Sequence, residues 1–84
     1  SMASWTVALY ERSGSKFIIV INPNQIAGSC EIRLNGLDHD EIYIIRDLMT
    51  DHTWNLSETD GKLSFSCSLP AKDATVLHLQ RQNS

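Results

Sequence analysis

The chain has 84 residues, of which 42% are hydrophobic and 20% charged, and a formal net charge of −3. That length holds one domain with a thin core, and the composition excludes intrinsic disorder, which needs low hydrophobicity and high net charge. The acidic balance and singly scattered Lys and Arg give no positive field for nucleic acid or an anionic membrane, and no run approaches the roughly 18 apolar residues of a membrane-spanning helix.

The opening Ser1-Met2-Ala3 reads as a methionine displaced by an expression remnant, and no charged region followed by an apolar one marks a signal peptide. An excised fragment is therefore expected, with residues 1–4 a disordered start, 5–80 the domain and 81–84 a frayed tail. Residues 5–11 (WTVALYE) alternate Trp5, Val7 and Leu9 against Thr6, Ala8 and Tyr10, the period of a strand. Ser13-Gly14-Ser15 supplies a turn, and residues 16–22 (KFIIVIN) form an apolar, β-branched run that predicts a strand covered on both faces, paired with the first as a hairpin. Pro23 ends it, because proline has no donor for a ladder. After a loop, residues 30–34 point Cys30, Ile32 and Leu34 inward and Glu31 and Arg33 outward, and Asn35-Gly36 is a turn.

Residues 41–47 (EIYIIRD) predict a fourth strand with Tyr43 and Ile45 opposite Ile42 and Ile44. A helix over 40–49 is the competing reading, disfavoured by β-branched content and the lack of a C-terminal glycine. Residues 53–56 predict a short fifth strand. In 62–69, Leu63, Phe65, Cys67 and Leu69 alternate with Ser64, Ser66 and Ser68, and 74–80 (ATVLHLQ) predict a last strand after Pro70. Seven short strands at intervals of about ten residues are the pattern of a sandwich or small barrel of the all-β class, and a small antiparallel, Greek-key-like β-sandwich is the expected fold.

Chemistry-bearing patterns are sparse. His39 and His52 fall in turns beside Asp38, Asp40 and Asp51, where neighbouring side chains rarely converge on a metal. His78 faces away from Leu77 and Leu79, as a strand residue open to solvent rather than a general base. No two carboxylates are placed over a cleft as glycoside hydrolysis requires, and no nucleophile elbow or phosphate loop exists. No catalytic, metal or cofactor residues are assigned. Cys30 and Cys67 lie in phase with apolar neighbours, as small buried hydrophobes do, with a disulfide between adjacent inner strands the alternative. Free thiols lean to a cytoplasmic setting, with secretion left open because a fragment would lack its N-terminus. Asn55-Leu56-Ser57 matches a glycosylation acceptor, a short motif frequent by chance. Trp5, Tyr10, Tyr43 and Trp54 remain as residues for carbohydrate stacking or an interdomain contact.

Three stretches carry a resemblance over about residues 7–79. KFIIVINPN is similar to a strand of the form VVVLNxS, NGLDHDEIYIIRDLMTD to GLdpdxxYxvrDLxTG, and GKLSFSCSLPAKDATVLHL to gxlxlxLpPxsxxvLxL. These belong to the C-terminal antiparallel domain of α-amylase-type glycoside hydrolases and their α-galactosidase and α-glucosidase relatives. The resemblance implies structural roles: Gly36 opens a turn, Tyr43 and Ile45 pack the sheet, and Asp47 braces the turn before the fifth strand. Asp51-His52 departs from the usual Thr-Gly-Glu. The family's catalytic acids sit on a preceding (β/α)₈ barrel, so the resemblance implies a non-catalytic accessory domain that stabilises that barrel. Its partner would be the catalytic domain of the parent enzyme, with polysaccharide a second partner. An apolar patch around Trp5 is expected where the barrel packs. A carbohydrate-binding module and an immunoglobulin-like interaction module are the alternatives.

Overall fold

The computed structural model describes residues 2–38 and 41–82. It contains seven strands: β1 (Thr6–Arg12), β2 (Ser15–Ile21), β3 (Gly28–Leu34), β4 (Ile42–Asp47), β5 (Thr53–Ser57), β6 (Leu63–Leu69) and β7 (Ala74–Arg81). Five make one antiparallel sheet in the order β1-β2-β7-β4-β5, and β3 pairs with β6 as a second, two-stranded sheet. The hairpins β1-β2 and β4-β5 enter the large sheet separately, and β7 returns between them. The result is the expected small all-β sandwich with crossing, Greek-key-like connections. The helix competing over 40–49 does not form: Ile42–Asp47 is strand, paired on both sides.

The β1-β2 hairpin closes with Arg12 opposite Ser15, leaving a two-residue loop. Ser13 and Gly14 both take positive φ, 53° and 81°, which matches the twist of the flanking strands. Gly61 is the position where glycine is required by space as well as by φ. It lies at +74°, a Cβ there would sit 3.1 Å from the Leu37 carbonyl oxygen, and its own carbonyl accepts the Leu37 N–H.

Alternation decides the core. Ile18 and Val20 of β2, Leu77 and Leu79 of β7, and Tyr43 and Ile45 of β4 point inward from the large sheet. Ile32 of β3 and Leu63, Phe65, Cys67 and Leu69 of β6 meet them from the small one, with Ser64, Ser66 and Ser68 exposed. Trp5, Leu34, Leu37, Trp54 and Leu56 pack around the margin. Cys30, expected inside, is only half-buried.

Two expectations change. β2 is covered on one face only: Ile18 and Val20 are buried, while Phe17 and Ile19 are half-buried and Ile21 exposed. β1 is exposed along its whole length, because two strands cannot reach across five. Before β1, Asn24 Nδ2 donates to the Ala3 carbonyl (2.9 Å) and the Ala3 N–H donates to Asn24 Oδ1 (2.7 Å).

Asn24 belongs to a buried polar knot centred on Asn22. Asn22 Nδ2 donates to the carbonyls of Ile26 (3.0 Å) and Pro70 (2.9 Å), and its Oδ1 accepts the Asn24 N–H (3.0 Å). One side chain thus holds the exit of β2 against the β6–β7 turn, where backbone groups would otherwise be buried without partners. Truncating it as Asn22→Ala is expected to cost about 2 kcal/mol in urea denaturation, because three backbone groups, the buried Asn24 N–H among them, lose their partners together. Asn55→Ala, on an exposed strand position, is expected to cost less than about 0.5 kcal/mol.

Candidate docking surface

The face of the large sheet turned away from the core is apolar through its middle. Register fixes which side chains share it, since directly opposed residues of antiparallel strands lie on one side. Ala8, Ile19 and Val76 form one row across β1, β2 and β7. Tyr10, Phe17 and His78 form the next, continued by Arg46 of β4, and Thr6, Ile21 and Ala74 lie on the other flank. Phe17 stacks on His78 with ring centroids 5.0 Å apart, and Tyr10 meets Phe17 at 6.4 Å. None of these residues is acidic, although the chain carries ten Asp and Glu. Leu48 and Met49, both exposed, follow β4, and the Leu48 N–H donates to the Val76 carbonyl. Among the described residues no strand packs over this face.

The four aromatic residues singled out from sequence do not assemble. Tyr10 is half exposed, at 50%, on the outer face. Tyr43 is 5% exposed inside the core, and its hydroxyl accepts the Asp38 N–H at 3.1 Å. Burial therefore denies its ring to a sugar. Trp54 lies at the core margin, 5.6 Å from Phe65 and edge-on to His52 at 4.5 Å. Trp5 plugs the other margin beside Gly28, where its ring occupies the space a Cβ at 28 would approach to 3.4 Å. The apolar surface expected around Trp5 is thus divided. Val7 and Leu9, on the same side of β1 as Trp5, are exposed at 43% and 56%, while Tyr10 and Ile21 are exposed on the opposite face.

The polar groups sit elsewhere. Asp47 Oδ1 accepts from the Thr75 hydroxyl and the Met49 N–H, which braces the turn into β5. Arg81 pairs with Asp38 at 3.0 Å and lies 3.8 Å from Glu41, at one side of an open groove of about 440 Å³ between the β1-β2 turn and the Leu37 loop. His52 is exposed and His78 stacked, while His39 and Asp40 fall outside the described residues. Among the described residues no three His, Cys, Asp or Glu are grouped to hold a metal ion.

The docking face went unseen in the sequence because its members alternate with core residues in the same strands. The available signal was the unbroken apolar run of β2, which has twice the apolar positions that one covered face needs. Comparison with protein-family models, with curated proteins and with solved structures finds no match to this chain.

The placement of the rings separates their roles. Trp54→Ala is expected to lower stability by about 2–3 kcal/mol through lost packing on Phe65, and Tyr10→Ala by less than about 1 kcal/mol, both read from denaturation midpoints. Malto-oligosaccharide titration is expected to leave tryptophan fluorescence unchanged. Saturable quenching lost in Trp54→Ala would restore the carbohydrate-binding reading.

Proposed function

We propose that the chain is a non-catalytic accessory domain of a carbohydrate-active enzyme that cleaves α-glycosidic bonds, and that it stabilises the catalytic barrel by docking the outer face of its large sheet. The observation that carries the reading is the acid-free apolar field of Ala8, Tyr10, Phe17, Ile19, Ile21 and Val76 on the outer face, with Ala8, Tyr10 and Ile21 exposed and Phe17, Ile19 and Val76 half-buried. Depletion of charge at the centre of a patch, with aromatic residues in it and cations at its margin, is the composition of an interface rather than of a solvated face. Here Arg12 and Arg46 supply the margin.

The size of the face fits a neighbour held in the same polypeptide. Five strands about 4.8 Å apart and about 20 Å long make a plate on the order of 24 by 20 Å. Two such surfaces in contact bury on the order of 1,000 Å², the range of interdomain interfaces within one chain. The helices ringing a (β/α)₈ barrel present a matching apolar and polar mixture. The glycoside-hydrolase part of the reading rests on the resemblance of the NGLDHDEIYIIRDL stretch and its flanking strands.

Ile19→Lys tests the docking. In the 84-residue chain it is expected to change stability by less than about 1 kcal/mol, since the residue is not in the core, and to weaken binding of a hydrophobic dye. In the natural full-length protein the same substitution is expected to lower the melting temperature of the catalytic part and its activity on aryl α-glycosides. An unchanged catalytic melting temperature would refute the docking, and absence of α-glycosidase activity in the unsubstituted protein would refute the enzyme class.

A further inference from the structure

We propose that Cys30 and Cys67 form a reversible intramolecular disulfide across β3 and β6, exchanging with a small disulfide of the oxidised-glutathione type. The two are direct partners in the β3–β6 register, so both side chains lie on the core side of the same ladder. Opposed residues of an antiparallel pair have Cα atoms about 4.5–5.5 Å apart, within the roughly 4.4–6.8 Å that a disulfide bridges without moving backbone. The neighbouring pair shows how closely opposed side chains approach here, with the hydroxyls of Ser29 and Ser68 2.7 Å apart.

Both thiols are free, Cys67 buried and Cys30 half-buried. Cys30 Sγ lies 3.6 Å from the Glu31 carbonyl, so rotation about its own Cα–Cβ bond is the movement that turns it toward its partner. Burial, followed by the charges of Asp47 and Cys30, pushes the Cys67 thiol up from its ordinary value. The more accessible Cys30 therefore supplies the first thiolate. A shallow depression lined by His52, Trp54 and Ser66 borders Cys67.

The steps balance. Cys30 thiolate attacks one sulfur of oxidised glutathione, the S–S bond breaks, and one glutathione thiolate leaves and takes up the proton that Cys30 released. Cys67 then gives its proton to water and attacks the Cys30 sulfur, releasing the second glutathione as a thiol. Two protein thiols lose two electrons and two protons, and one glutathione disulfide becomes two thiols. The bridge joins two strands that are distant in sequence and that, among the described residues, pair only with each other, so it constrains the unfolded chain through a long loop. This inference is independent of the proposed docking.

The test equilibrates the chain in glutathione buffers from fully reduced to fully oxidised, traps thiols by alkylation, and reads intact mass and linked peptides. The expected product is a monomer lighter by two hydrogens, with Cys30 and Cys67 in one linked peptide pair and a melting temperature raised by roughly 10 °C, all reversed by dithiothreitol. Cys67→Ser is expected to stop at glutathione on Cys30, and the mapping of the unsubstituted chain decides the matter whether or not that variant folds. A stable mixed disulfide on Cys30 beside an alkylatable Cys67, covalent dimers, or two free thiols in the fully oxidised buffer would each overturn the proposal.

Discussion

The constraint from which the rest of the fold follows is a mismatch of widths. A sheet of two strands covers about 10 Å in the pairing direction and one of five spans about 24 Å. The β3–β6 ladder therefore lies over part of the large sheet and leaves the rest to solvent. The core is correspondingly thin, with Ile18, Val20, Ile45, Leu77 and Leu79 meeting Ile32, Phe65 and Cys67, and no second apolar layer behind them. β1 lies beyond the reach of the small sheet, so Val7 and Leu9 keep the inward orientation of a core strand with nothing to pack on. Trp5 and Trp54 fill the margins where the two sheets stop facing each other.

A sandwich built this way has many open ends for its length, since four of its connections cross between sheets. Each crossing buries backbone groups near a margin, and local side chains meet them. Asn22 and Asn24 serve the end where β2 leaves, Asp47 with Thr75 serves the β4–β5 turn, and Glu58 accepts the Gly61 N–H at the start of β6. Among the described residues no buried side-chain nitrogen or oxygen lacks a partner. In a thin core these bonds carry an unusual share of specificity, because apolar packing alone would tolerate a shifted register.

The strands were legible because alternation is a local property. The Ser64, Ser66 and Ser68 pattern sets the facing of β6 without any knowledge of its neighbours, whereas alternation in β4 left open which side of the strand is buried, and Tyr43 stood among the candidate contact residues until the structure placed it in the core. Placement across the sandwich was not legible. The apolar run of β2 says that both faces avoid water, and it is silent on whether the second cover comes from this chain or from another domain. Likewise Cys30 and Cys67 become partners only when β3 finds β6 across the intervening residues, a long-range pairing no periodicity reports. Asn22 carried a usable signal, a polar amide closing an apolar run just before proline, where an unpaired strand end needs side-chain bonds.

The charge distribution bears on what the outer face is for. Half the positions of any strand must point away from a core, and selection for a soluble surface would place Asp, Glu and Lys there, as β3 does with Glu31 and Arg33. On the large sheet the outward positions include Tyr10, Phe17, Ile19, Ile21 and Val76, with Thr6, Ala8, Ala74, His78 and Arg46 in the same rows and no acid among them. β-propensity alone does not demand this, because Thr satisfies the pleat equally and keeps a hydroxyl for water. A face that combines strand-forming and apolar residues with no acid over three adjacent strands has the composition that the proposed docking requires. The same composition makes the uncovered sheet a liability for self-association, which a permanent neighbour removes. The mismatch of widths and the chemistry of the outer face thus meet in one arrangement: a small sandwich that closes its core on one side of the large sheet and leaves an apolar, acid-free face on the other, the face proposed above for docking.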